Sequence, residues 1–275
     1  MAVLDFGATG KYIDFTLNAA LDLTGGYTIA YVIKRNGDST WDTLSSHQTG
    51  SGATPADTYR IGVELSNANR LSIEAFVTGS SNGGDSSENG TPGGGTPFTA
   101  NAADGWDILI VSKTAGSGNR ARFACSKNGA AMTFTNSTNS WGNADSARPG
   151  AVDGVIRVGR LANQTTDDGN FRIAAMGILA GTQLNDAAQS ALIGGSGTSW
   201  ASTFTEVIEF NSASTLTGRN SVTSEIGRTG SPTLVTGDDP PSGVYTIGAG
   251  GAGSTIVSPL QTFGPSYAAH RAASI

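Results

Sequence analysis

The chain has one cysteine, two histidines and only 14% charged residues among its 275. Each scarcity removes a class of explanation. Cys125 alone cannot form an internal disulfide, so the fold is not stapled for an oxidising compartment; a small buried hydrophobe is the default reading of such a thiol. His47 and His270 are too few for a histidine-based metal cluster. Ser45 and Ser46 beside His47 make no triad, because no G-x-S-x-G elbow stands in a strand-turn-helix context. The net charge of −6 comes without any basic cluster, which argues against a nucleic-acid partner. No apolar run reaches the length of a membrane span. The N-terminus lacks the basic n-region and long apolar h-region of a secretory signal, so none is expected.

Glycine, at 39 residues, is what the chain has in excess, together with Ser, Thr, Ala and Asn. That mixture suits strands joined by many turns and disfavours long helices. The length allows a full core, in one large β domain or two smaller ones.

Periodicity supports the same class, with roughly ten to twelve short strands expected at hairpin spacing. Ala2–Phe15 reads as two short strands around Gly7–Gly10. In Tyr27–Arg35, residues Tyr27, Ile29, Tyr31 and Ile33 share one parity and Thr28, Ala30, Val32 and Lys34 the other. Trp41–Ser46 is a further short strand. Tyr59–Thr78 reads as a hairpin: with Asn67-Ala68-Asn69 as its loop, Leu65 faces Leu71, Val63 faces Ile73 and Ile61 faces Ala75. Trp106–Lys113 and Arg120–Ser126 are strands, and Asn128-Gly129 is the strongest short hairpin signal, returning through Ala130–Phe134. Gly79–Thr99 is expected to be a long low-complexity loop. Asn136–Asp153 is a polar loop, followed by a strand at Val155–Arg160.

Phe171–Ile193 is the most specific stretch. Its first half is apolar on both parities, which demands cover on both faces. Asn185 and Asp186 can cap a short helix, with Gln189 placed to close a capping box. Leu184, Ala188, Ala191 and Leu192 form one apolar stripe, and Gly194-Gly195 ends the helix. Beyond Gly197 the pattern weakens. Trp200 and Phe204–Phe210 suit one turn of helix or a last strand, and Gly227–Asp239 is turn-rich. Gly248–Gly253 is a glycine linker, and Ile256–Ile275 an extension with Pro259 and Pro265. If such a tail is ordered it needs a surface, and a neighbouring subunit is the economical one.

Taken in order, LDFGATGKYIDF, YTIAYVIKRN, WDILIVSK, RFACSKNGAAM, IRVGR and FRIAAMGILAGTQLNDAAQSALI resemble the laminin-G-like, or concanavalin A-like, jelly roll over about Ala2–Gly195. The resemblance implies an all-β fold: an antiparallel two-sheet jelly-roll sandwich with one short helix and an extended C-terminal arm. It divides the chain into 1–197 (the jelly roll), 198–247 (a closing segment packed on or continuing the sandwich) and 248–275 (the arm). Domains of this kind are frequent in virion proteins of tailed bacteriophages. Gly227–Tyr245 is similar to the endings of such proteins in phages of actinobacteria. The implied role is a structural virion protein, minor tail or capsid decoration, assembled in the bacterial host cytoplasm. Its partners would be other virion proteins and copies of itself, reached through the arm. The alternative is a carbohydrate-binding module for a host-surface glycan, using Gly79–Thr99, Trp41 or Trp141, and calcium.

Candidate chemistry is weighed against plainer roles. Glu64 and Glu74 are diagonal neighbours in the hairpin register, about 7–8 Å apart at the backbone, whereas retaining glycosidases hold their carboxyls about 5–5.5 Å apart. Sugar hydrolases of the resembled fold carry E-x-D-x-x-E on one strand, and no such run occurs here. Arg60 is also diagonal to Glu74, so an ion-paired face is the simpler reading. Calcium ligands of the resembled type would be Asp85 with Glu88, Asp167 with Asp168 and Asn170, or Asp238 with Asp239. None has EF-hand spacing, and solvated turns explain them as well. Trp106, beside an apolar run, is expected in the core. No catalytic, cofactor or metal residue is assigned, and no enzyme is expected.

Overall fold

A computed structural model describes residues 2–7, 10–16, 26–37, 41–48, 59–66, 71–77, 86–92, 105–113, 123–136, 155–160, 168–194, 197–219, 225–241, 243 and 245–248. Along 59–66, 71–77 and 86–92 the backbone alone is described. The Asn67–Asn69 loop, Trp141, His270 and the arm after Gly248 lie outside the described residues.

Two antiparallel sheets face each other. Sheet 1 runs β9 (Phe123–Lys127), β8 (Asp107–Lys113), β3 (Tyr27–Arg35), β12 (Phe171–Ala180), β1 (Ala2–Asp5) and β15 (Thr233–Thr236). A further strand, β13 (Glu206–Glu209), pairs with the second half of β12. Sheet 2 runs β14 (Glu225–Thr229), β2 (Tyr12–Thr16), β11 (Val155–Val158), β4 (Trp41–Gln48), β5 (Tyr59–Ser66), β6 (Leu71–Val77), β7 (Ser86–Pro92) and β10 (Ala130–Asn136). β10 makes the corner: Ala130 and Ala131 pair with β9, and Met132 to Asn136 pair with β7. The fold is an all-β, two-sheet jelly-roll sandwich.

The core between the sheets follows from alternation. Tyr27, Ile29, Tyr31 and Ile33 of β3 point inward, as their parity predicts, while Ala30 and Val32 join an apolar cluster on the outside of sheet 1. Leu109 and Val111 of β8 do the same inward, with Ile108 and Ile110 outward. From sheet 2 come Ile13, Phe15, Ile156 and Val158. Phe6 stacks on Phe171 at 5.2 Å, and Phe210 meets Phe6 and Phe15 edge-on at 6.4 and 5.8 Å. Burying each such ring contributes roughly 1.5–3 kcal/mol. Cys125 lies buried in this core, as its default reading required.

β12 is covered on both faces, yet strict parity misassigns half of it. A bulge between Ile173 and Ala175 inserts Ala174 as an extra residue, so the inward set is Phe171, Ile173, Met176 and Ile178. Ala174 and Ala175 both join the outer cluster. One glycine here is dictated by packing. A Cβ on Gly177 would stand 2.6 Å from the Phe204 ring, so only glycine lets that ring lie on the strand.

Two helices, not one, cover the outside of sheet 1: α1 (Asp186–Ala191) and α2 (Trp200–Thr203). Asn185 caps α1 by accepting the Ala188 N–H at 2.9 Å. No capping box closes on Asp186, because the Gln189 carboxamide is buried and donates to Leu184 O instead. The helix stripe is correspondingly Leu184, Ala188, Gln189 and Leu192, with Ala191 exposed. The weak pattern beyond Gly197 resolves into both alternatives: Trp200 opens α2, and β13 follows it.

Three other expectations are corrected. Gly79–Thr99 contains β7, a strand with no apolar alternation. It exists because β6 and β10 offer ladders on both its sides, Glu88 standing between Ile73 and Asn136. Gly227–Asp239 contains most of β14 and all of β15, each held by a distant N-terminal strand. The third is the strand count. Fifteen strands occur among the described residues, against ten to twelve expected. The β5–β6 register, by contrast, is as expected, with Leu65 opposite Leu71, Val63 opposite Ile73 and Ile61 opposite Ala75. At Asn128-Gly129 the φ angles of 50° and 82° are those of a two-residue type I′ hairpin.

Candidate functional site

The outer face of sheet 2 carries a patch that combines an aromatic ring with several polar groups. Along β2, Ile13 and Phe15 enter the core, so Tyr12 and Asp14 must face outward. β11 pairs alongside, setting Arg157 opposite Asp14. The Arg157 guanidinium lies 3.9 Å over the Tyr12 ring and donates to both Asp14 oxygens at 2.8 and 2.9 Å. Burial alone would make Arg157 easier to deprotonate; the Asp14 carboxylate outweighs that and holds its proton more firmly than usual. Arg160 stands 5.6 Å from the same ring and grips Asp168 with two bonds, 2.5 and 3.2 Å long. Asp168 also accepts the Gly10 N–H at 2.8 Å. Two arginines meet two carboxylates, so the patch is neutral and each charge is already partnered. One Tyr12 face is covered by Arg157, which limits stacking by a ligand to the remainder of the ring.

The sequence candidates fall elsewhere. The ladder sets Glu64 opposite Ser72 and Glu74 opposite Gly62, the diagonal relation expected. Asp168 belongs to Arg160, and Asn170 donates its backbone N–H to Asp42 while its carbonyl accepts from Asn36. Asp85 and Asp167 lie outside the described residues. Asp238 is held by Lys34 and Arg172. Burial pushes its carboxyl up, but those two hydrogen bonds outweigh burial and hold it below the usual carboxylate range. Carboxylates engaged in this way are not presented as a cation cage, and among the described residues no group of three or more His, Cys, Asp or Glu is positioned to hold a metal ion. Ser45 bonds the Tyr31 hydroxyl at 2.6 Å across the core, and Ser46 donates to Arg160 O, so both serines beside His47 tie parts of the fold together. Trp41 opens β4, paired with Ser66. Trp106, expected in the core, is instead partly buried and packs against the outer cluster.

Sequence reading missed the Tyr12–Arg157–Arg160 patch. Its local signal was the polar parity of Tyr12-Ile13-Asp14-Phe15. The other half, β11, pairs with β2 across a gap of 143 residues from Asp14 to Arg157, and nothing local specifies that.

No family model matches the chain, and no curated protein does. Among solved structures it is similar to the native heptameric SAP-like pentraxin from Limulus polyphemus, with a TM-score of 0.45, 14% identity, 90% of this chain covered and 95% of the other. It is similar to the Ruminococcus gnavus IT-sialidase CBM40 at TM-score 0.45 and 13% identity, covering 68% of this chain and 95% of that one. Domains LG4-5 of the mouse laminin alpha1 chain give 0.42 and 10%, covering 68% of this chain and 43% of that one. At these identities no ligand, partner or activity passes from those proteins to this chain.

Proposed function

We propose that this chain is a structural virion protein of a tailed bacteriophage, of the minor tail or capsid-decoration type, acting through contacts between subunits and not through catalysis. What supports the reading is how its charges are used. Arg35–Asp42, Arg157–Asp14, Arg160–Asp168, Arg172–Asp5 and Asp238, and Arg219–Glu209 all join one strand or loop to another. Such ties make a rigid platform that presents surfaces. Residues 249–275 would extend those surfaces to a neighbour. The test is incorporation. A chain ending after Gly248, checked for folding by circular dichroism, should enter particles less well than the full chain. Wild-type incorporation would remove the arm from the reading.

One observation favours the rival, a glycan-binding module: the neutral, partly buried Tyr12–Arg157–Arg160 patch has the mixed aromatic and hydrogen-bonding character that sugars require. A glycan array with the full chain and with Tyr12→Ala, each with and without chelator, separates the two. Silence throughout favours the platform; a signal that Tyr12→Ala abolishes favours the rival.

A further inference from the structure

Asparagine followed by glycine is prone to deamidation, because glycine has no side chain to obstruct attack by its own amide nitrogen. The chain contains four such pairs: Asn36-Gly37, Asn82-Gly83, Asn89-Gly90 and Asn128-Gly129. At Asn128-Gly129 the turn calls for both residues, since φ angles of 50° and 82° suit asparagine and glycine. A bulkier residue at 129 would slow the attack but strain the turn. Gly129 is also tied to α1, whose Ser190 hydroxyl donates to Gly129 O at 3.3 Å. The hairpin therefore carries a chemical liability that a change of sequence would relieve only at the expense of its geometry.

The neighbouring strand restrains that liability. The Asn128 backbone N–H donates to Ile108 O at 2.8 Å, and its side-chain Oδ1 accepts the Ile108 N–H at 2.7 Å. Its Nδ2 donates to one oxygen of Asp107 at 2.8 Å, and the other Asp107 oxygen meets Lys127 Nζ at 3.3 Å. Both polar atoms of the carboxamide are thus engaged by β8, although Asn128 itself is exposed. Asn36-Gly37 is restrained alike. Asn36 Nδ2 donates to Asp5 Oδ1 at 2.7 Å, and its backbone N–H donates to Asn170 O at 3.0 Å. In each case an aspartate on a strand holds the carboxamide of an Asn-Gly pair.

We infer that Asn128 is a deamidation site gated by the fold, with Asp107 as the gate. It is unreactive while its carboxamide is seated on β8, and it reacts when that end of the hairpin opens. In the reaction Gly129 N bonds to Asn128 Cγ, the Cγ–Nδ2 bond breaks, and ammonia leaves with the proton that Gly129 N gives up. Water then opens the cyclic imide at one carbonyl or the other, leaving aspartate or isoaspartate. Neither product suits the closed hairpin. Aspartate sets a second carboxylate against Asp107, whose partner Lys127 is already engaged. Isoaspartate adds a methylene to the backbone of a two-residue turn and so disturbs the β9–β10 pairing that leads into the corner strand. The inference stands apart from the reading of the chain as a virion protein, and the two fail separately.

Mass spectrometry of peptides from the full chain tests this. Folded chain and chain unfolded in guanidinium are held in the same mildly alkaline buffer, and conversion at Asn128 is followed with time. Folded Asn128 should convert at least about tenfold more slowly, because its bonds to Ile108 and to the Asp107 carboxylate must break before attack. Asp107→Ala, checked for folding by circular dichroism, should convert about tenfold faster than folded wild type. Should that variant fail to fold, the wild type alone decides. Below its unfolding transition, conversion at Asn128 should rise with guanidinium in step with hydrogen exchange of the Ile108 amide. Folded wild type that converts as fast as the unfolded chain overturns the inference. So does a folded Asp107→Ala chain that converts at the wild-type rate, or conversion that does not follow Ile108 exchange.

Discussion

Asp42 shows at the level of one side chain how this fold uses charge. It is fully buried; one oxygen accepts from the Arg35 guanidinium at 2.7 Å and the other from the Asn170 N–H at 2.8 Å. It thereby pins the start of β4 to the end of β3 and to the residue before β12. Removing one member of a buried pair leaves the other charge uncompensated, at a cost of about 3–5 kcal/mol. Asp42→Ala should lower the urea midpoint accordingly, and the double change Arg35→Met with Asp42→Leu should recover much of the loss. An Asp42→Ala chain of wild-type stability would show that the pair is not desolvated as described. The sequence announced that residue 35 ends a strand of buried parity, but not that its cation would need Asp42. Neither could it announce the backbone amide 128 residues away, since that contact exists only once the sheets have closed.

Among the elements, those specified by their own residues were legible. The β5–β6 register, the Asn128-Gly129 turn and the β3 alternation follow from side-chain period and local φ preference. The elements that were not legible depend on partners far along the chain: β7 on β6 and β10, β14 on β2, β15 on β1. The bulge at Ala174 belongs with them, because only the pairing with β3 reveals it. The segment after β15 is a further case. Tyr245 meets Trp200 at 5.2 Å, and the Thr246 and Ile247 carbonyls accept from the Trp200 and Ala201 N–H groups. These carbonyls satisfy the amides at the start of α2, whose Ser199 makes no side-chain cap. Lys34 and Arg172 anchor the segment through Asp238, with Asp5 sharing Arg172. Because the folded state holds the Asp238 carboxyl below its unfolded value of about 3.9, its contribution is present above that value and is lost as pH falls below it. Protection of the Trp200 and Ala201 amides, corrected for intrinsic exchange, should fall over that acid range. In Asp238→Asn it should already be reduced at neutral pH. Protection unchanged in the variant would mean that Tyr245 packing alone holds the segment.

For the molecule as a whole, two sheets, a corner strand and a helical layer make a body whose described charges are largely tied within it. Composition conveyed the class, through abundant glycine and few charges, and the order of the apolar strands conveyed the sandwich. The patch on sheet 2 and the pairing of β15 with β1 were not legible, since each joins segments far apart in the chain. A platform of this kind should act by where it sits. The most direct test is electron cryomicroscopy of intact particles that contain this chain. The structural reading predicts density for the sandwich in ordered, symmetry-related copies that touch one another or the surrounding shell or tail. Particles that lack such density, with the chain recovered only as a separate glycan-binding species, would contradict it.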